Sequence, residues 1–146
     1  MHFPKRYLVL LSLTAAISLL TAGCTESKVS QCNKIIEVAN KAASQATSVT
    51  KDGQATDPKT MLQAADAMEK ASQEMKAIEV KDQKLKDYQA GFVNMYRNTS
   101  KATRDFVTAF EKKDRKGAET AATSFQQAIT SEKQLVTNLN TYCSGK

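Results

Sequence analysis

Apolar residues recur every three or four positions through a long segment of this 146-residue chain. This spacing places them on one face of an α-helix, because a helix completes one turn in about 3.6 residues. Asp82 precedes the segment and can accept hydrogen bonds from the free amides of a first helical turn. We therefore predict a helix whose buried face consists of Leu85, Tyr88, Phe92, Met95, Thr99, Ala102, Phe106 and Ala109, with Tyr96 and Phe110 beside it.

Three other segments carry apolar residues at the same spacing. The first runs from Lys28 to Lys51 and stops at Asp52-Gly53, because glycine tolerates the left-handed conformation of a helix end. Asp57-Pro58 opens the second segment and Asp114 opens the last one. Ser72 interrupts the second stripe, where its hydroxyl can bond to its own helix. The stripes are Cys32, Ile35, Ala39, Ala42, Ala46 and Val49; Met61, Leu62, Ala65, Met68, Met75 and Ile78; and Ala118, Ala121, Phe125, Ala128, Leu135, Leu139 and Tyr142.

No alternating, β-branched run of strand length follows residue 23, so the chain is predicted to be all-α. Four long helices joined by short links must run antiparallel to their neighbours. The expected fold is an antiparallel up-down-up-down four-helix bundle with its N- and C-termini at the same end. The Val80–Lys86 link lies at that end. Residues 52–57 and 112–116 lie at the opposite end, about 35–45 Å away at 1.5 Å per residue.

The N-terminal segment has a different pattern. Lys5 and Arg6 precede an apolar run from Tyr7 to Leu20, which at about 14 residues is shorter than the roughly 20 needed to span a bilayer core. Small residues and a cysteine follow at once as Thr21-Ala22-Gly23-Cys24. This arrangement resembles that of bacterial lipoprotein precursors, in which the cysteine after the small residues is lipidated and becomes the first residue of the mature protein.

The resemblance implies a lipoprotein signal peptide over residues 1–23, a lipidated tether over residues 24–27 and a bundle domain over residues 28–146. Acyl chains on Cys24 would anchor the protein at the periplasmic, lumenal or extracellular face of a bacterial membrane. An ordinary secretory signal cut before Cys24, or a retained N-terminal anchor, is the alternative. Loss of residues 1–23 leaves 19 of the 21 basic residues against 15 acidic ones, so the net charge falls from +6 to +4.

Cys32 and Cys143 remain as a pair once Cys24 is assigned to lipidation. An exported protein meets an oxidising compartment, and the predicted bundle brings these two residues to the same end. We therefore expect a Cys32–Cys143 disulfide, with two free thiols as the alternative. Such a bond closes a loop of about 110 residues and stabilises the fold by about 4–5 kcal/mol in the chain-entropy account.

Catalytic and metal-binding patterns are missing from the mature segment. The only histidine, His2, lies in the removable leader, so a serine or cysteine triad cannot form there. Haem attachment through Cys-x-x-Cys-His and a di-iron Glu-x-x-His site also need histidine. We expect no enzyme activity, no cofactor and no metal. Nucleic acid is not an expected partner, because the protein is expected to be exported and the sequence shows no platform of interleaved basic and aromatic residues.

One acidic residue, Glu132, occupies an apolar position of the fourth helix. Antiparallel pairing about the Asp114 turn brings it level with Tyr96 and Arg97 on the third helix, and a buried carboxylate needs such a partner. A ligand-gripping or switching charge inside the bundle is one interpretation. A structural hydrogen bond that fixes helix register, or a side chain that reaches out to solvent, is the other.

Two basic clusters occupy the predicted ends of the bundle. A membrane-proximal cluster could support attachment to anionic lipid, and consists of Lys81, Lys84 and Lys86. A distal cluster could meet an acidic protein face, and consists of Lys112, Lys113, Arg115 and Lys116. For both clusters the alternative is a solvated turn.

Together these features predict a lipid-anchored, non-catalytic interaction module that docks on, or helps to assemble, a membrane protein complex or envelope structure. In size, anchor and fold it is similar to the small helical lipoproteins that accompany photosystem II in cyanobacteria. The alternative is a carrier or sensor that binds a small apolar ligand between the third and fourth helices. A pocket of a few hundred Å³ would favour the carrier, and a dry packed core would favour the interaction module.

Overall fold

The structure is a computed structural model, which describes residues 26–50 and 57–145. These residues form four α-helices and no strand, so the predicted all-α class is confirmed. The helices are α1 (Lys28–Thr50), α2 (Pro58–Ala77), α3 (Gln83–Glu111) and α4 (Arg115–Ser144). Packing between consecutive helices gives the predicted four-helix bundle.

Three helices begin at the aspartates that the sequence identifies as caps. In each case the carboxylate accepts a hydrogen bond of 2.9 Å from the amide three residues later, which satisfies a donor that has no partner within the helix. The pairs are Asp57 with Thr60, Asp82 with Leu85, and Asp114 with Gly117. The tight turn between α3 and α4 also places Lys113 in the left-handed region, with φ of 58°.

Helix α3 lies between α2 and α4 and packs along both of them, whereas α1 packs mainly against α2. The large side chains that are completely buried cluster towards the start of α1, the end of α2 and the start of α3, and are Ile35, Met75, Leu85 and Phe92. The tightly packed part of the core is therefore one half of the bundle.

A disulfide joins Cys32 to Cys143 at that same half, with the two Cα atoms 5.9 Å apart. This confirms the predicted bond. It also fixes the start of α1 beside the end of α4, so the first and last helices meet at the same end of the bundle, as expected.

The link between α2 and α3 is held at the disulfide end by side chains from two other helices. From α1, the Gln31 side-chain oxygen accepts hydrogen bonds from the Lys81 and Asp82 amides at 2.7 and 3.1 Å. From α4, the Tyr142 hydroxyl donates to the Asp82 carboxylate at 3.0 Å. All four helices are thus joined at this end, which we call the clamped end.

Ser72 differs from the sequence-based expectation. Its hydroxyl donates to the Val93 carbonyl of α3 at 3.1 Å instead of bonding within its own helix. The reason is the close packing of α2 on α3, which brings a foreign carbonyl within reach of this buried side chain.

Candidate functional site

The predicted lipidation residue, Cys24, lies outside the residues that the structure describes. Glu26 and Ser27, which end the predicted tether, contact the start of α1. The Ser27 hydroxyl accepts a hydrogen bond from the Ser30 amide at 3.1 Å, and Glu26 pairs with Lys34 at 2.8 Å. The bond from Lys34, followed by one from Ser30, lowers the pKa of Glu26. The chain is therefore fixed to the bundle from residue 26 onward.

A cavity of about 450 Å³ lies between the helices in the half of the bundle away from the disulfide. All four helices contribute to it, not only α3 and α4 as the carrier hypothesis supposed. Its wall is mostly apolar and is formed mainly by Ala42, Ala43, Ala46, Met61, Ala64, Met68, Met95, Ala102, Phe106, Phe125 and Ile129. Exposed residues on α1 and α4, Ala43 and Ala122, mark its opening to solvent.

The many alanines explain why space remains there. Ala42, Ala43 and Ala46 give α1 a short-chained face, and α1 packs chiefly on α2 instead of closing over α4. The disulfide holds helices α1 and α4 together at the clamped end only. The short alanine side chains of α1 leave an apolar gap between the two helices in the other half.

Two polar side chains stand out in this wall, Tyr96 of α3 and Glu132 of α4. Tyr96 is only 2% exposed, and its burial, followed by the nearby Glu132 charge, raises its pKa. The structure thus brings together two of the three residues that the sequence analysis grouped. The third, Arg97, is exposed and donates to the Asn94 side-chain oxygen at 3.1 Å instead.

The threonine hydroxyls at the cavity are already used within α3. Thr99 donates to the Met95 carbonyl at 2.9 Å, and Thr103 donates to the Thr99 carbonyl at 2.8 Å. Among the described lining residues, Glu132 is the only one that carries a charge. The cavity therefore offers an apolar volume with one anionic group.

A larger groove, of about 670 Å³, follows the outer side of the α3–α4 pair. Exposed amide side chains dominate it, including Asn94, Asn98, Gln127 and Gln134. Such a surface has no enclosed apolar wall, so the smaller interhelical cavity is the better ligand-site candidate.

The two predicted basic clusters lie at opposite ends of the bundle. Lys81, Lys84 and Lys86 are exposed at the clamped end, where Lys81 lies 3.9 Å from the Glu79 carboxylate and Lys84 lies 5.4 Å from the Tyr88 ring centre. The distal cluster is exposed at the α3–α4 turn, and consists of Lys112, Lys113, Arg115 and Lys116.

One feature of the distal end was missed at the level of sequence. Phe110 is 61% exposed and stacks on Phe106, with ring centres 6.5 Å apart. Its position beside the seam suggested only a flanking role. The distal turn therefore combines a basic cluster with an exposed aromatic ring.

Two searches of the described residues were negative. No group of acidic, cysteine or histidine side chains there could hold a metal ion. No helix in this part of the chain is both long and apolar enough to cross a membrane.

Neither a protein-family model, nor a curated protein, nor a solved structure matches this chain. Its function therefore has to be inferred from its own residues and their geometry.

Proposed function

We propose that this protein is an exported, lipid-anchored, non-catalytic carrier or sensor that holds a small apolar ligand in the interhelical cavity. The observation that carries the proposal is the cavity itself, with its volume of about 450 Å³. Small-molecule sites commonly enclose roughly 300–1,000 Å³ and are mostly apolar with a few polar groups. A bundle that acted only as a scaffold would gain stability by filling this space.

The chemistry of the wall supports an apolar ligand. Burial of a ligand's apolar surface against this wall favours binding by about 25 cal/mol for each Å² removed from water. Met61, Met68 and Met95 line the cavity, and their unbranched thioether side chains can adjust to ligands of different shape.

The position of the cavity supports the anchoring part of the proposal. A lipid on Cys24 would attach next to residue 26, at the start of α1 and so at the clamped end of the bundle. The cavity lies in the other half, between residues such as Ala46 and Phe125. A ligand could enter there from the aqueous side while the clamped end stays against the bilayer.

Methionine methyl NMR on the full chain in lipid nanodiscs tests this function. Hexanol, a neutral apolar probe, is expected to shift the methyl signals of Met61, Met68 and Met95 saturably. The signal of Met75 serves as an internal control, because this residue is fully buried but lies outside the cavity.

A matched pair of alanine variants completes the experiment. Ala122→Leu places a larger side chain at the cavity opening and is expected to abolish the hexanol-induced shifts. Ala90→Leu makes the same change at an exposed site on α3 away from the cavity and should leave them intact. Absence of any saturable shift in the unmodified chain would contradict the proposed function.

A second candidate function is an accessory module that docks on an acidic face of a membrane or envelope complex. Exposure of Phe110 beside the distal basic cluster favours it. Aromatic residues and arginine are enriched at protein interfaces, and a basic cluster beside them can steer an acidic partner into place. The two functions are compatible, since the cavity and the distal turn use different surfaces.

A further inference from the structure

The Glu132 carboxylate has no partner in the part of the chain that the structure describes. It forms neither a hydrogen bond nor an ion pair with any described residue there, and Arg97, the nearest cation by register, bonds to Asn94 instead. Glu132 is partly buried in this wall, and a carboxylate that loses part of its hydration is stabilised by a positive or hydrogen-donating group nearby. The compensating group can come from a ligand.

Aromatic rings surround the same volume. Tyr96, Phe106 and Phe125 all line the cavity, and the negative face of an aromatic ring attracts cations. The Tyr96 hydroxyl also makes no hydrogen bond to a described residue, so it is available to a bound polar group. The rings and the carboxylate favour the same kind of charge.

We propose that the ligand of this cavity is an apolar amine. Its hydrocarbon body would lie against the alanine and methionine wall, and its protonated ammonium group would donate to the Glu132 carboxylate. This inference rests on the proposed function, because it specifies the ligand class of the same cavity. An apolar carboxylic acid of equal size is disfavoured, since its charge would lie beside that of Glu132.

Three probes of equal chain length test the ligand class, namely hexylamine, hexanol and hexanoic acid. Each is titrated into the full chain in lipid nanodiscs, and the Met61, Met68 and Met95 methyl shifts give the apparent Kd. Hexylamine is expected to bind about tenfold or more tightly than hexanol, because a hydrogen bond to a charged group contributes about that factor. Hexanoic acid should bind most weakly.

Glu132→Gln and Glu119→Gln form a matched pair of variants. Each removes one carboxylate from α4, but Glu119 is exposed and pairs with Arg115 on the surface. The preference for hexylamine should disappear in Glu132→Gln and persist in Glu119→Gln. An unchanged Met75 signal shows that each variant keeps its core.

The outcomes separate the two proposals. Equal binding of the amine and the alcohol, or an unaltered preference in Glu132→Gln, overturns the amine proposal and leaves the cavity function standing. Failure of all three probes to bind contradicts the cavity function itself. This result is expected if a second copy, or another part of the chain, fills the cavity. The ranking of the probes on the unmodified chain decides the question even if a variant fails to fold.

Discussion

The side chain of Gln31 shows how much one residue can contribute to the clamped end. It is only 4% exposed and uses both ends of its amide. Its oxygen accepts from the Lys81 and Asp82 amides, and its nitrogen donates to the Glu26 carbonyl at 2.8 Å. No repeat or motif marks Gln31 in the sequence, because its partners are about 50 positions away and are brought near only by the fold.

We expect Gln31→Ala to destabilise the bundle by about 2 kcal/mol, because two link amides lose their acceptor. Urea unfolding followed by circular dichroism measures this free energy. Gln63→Ala, an exposed change on α2, is the control and should alter stability by less than about 0.5 kcal/mol. Equal stability of the two variants would show that water replaces the Gln31 contacts at no cost.

Among the helices, the starts of three could be predicted because the responsible contacts are local. Asp57, Asp82 and Asp114 each bond to an amide three residues away, and the apolar spacing identifies the face that follows. The gap between α1 and α4 could not be predicted in this way. A stripe of alanines shows which face of α1 is buried, but it does not specify how closely a non-consecutive helix approaches.

The candidate site was predictable in part, because two of its residues lie on helices joined by a short turn. Register alone places Glu132 near Tyr96, since α3 and α4 are joined by a tight turn of known position. The conformation of Arg97 depends on a choice between two partners, Asn94 and Glu132, and that choice needs coordinates. The contribution of α1 to the cavity likewise appears only in three dimensions.

The cap of α3 leads to a prediction about acid stability. The hydrogen bond from the Leu85 amide, together with that from Tyr142, holds the pKa of Asp82 below its ordinary value of 3.8. A lowered pKa in the folded state means that this group stabilises the fold above its unfolded pKa. The contribution is lost as the pH falls through the lowered value.

Asp82→Asn should therefore lower the thermal midpoint at about pH 7, and the difference from the unmodified chain should shrink as the pH approaches about 2. Thermal unfolding across this range measures the effect. Asp87→Asn, an exposed change on the same helix, provides the comparison. A difference that stays constant with pH would contradict the assignment of the cap contacts to the ionised carboxylate.

The two ends of the bundle have different properties. The clamped end joins all four helices through Gln31, Tyr142 and the disulfide. The distal half contains the cavity, the exposed Phe110 ring and the distal basic cluster. A molecule tethered at its clamped end would present its distal features to the surrounding compartment.

Reversal of charge at the distal turn tests the second candidate function. The triple change Lys112→Glu, Lys113→Glu and Lys116→Glu should slow association with an acidic membrane complex at low salt by about tenfold or more. Reversal of three exposed lysines away from the distal end, Lys70, Lys76 and Lys133, makes the same change in net charge and is the control. Association rates measured at two ionic strengths decide the matter, and equal rates for the two variants would exclude steering by this turn.

The covalent bond between Cys32 and Cys143 bears on the stage at which the protein becomes fully stable. If the protein is exported, as proposed above, its thiols stay reduced in the cytoplasm, and the chain there would lack its covalent connection between α1 and α4. The reduced chain would unfold more easily until it had passed through a translocation channel. Oxidation of the two thiols outside the cytoplasm would then stabilise the folded bundle. The redox difference across the membrane would thus disfavour passage of the oxidised, folded protein back through the channel.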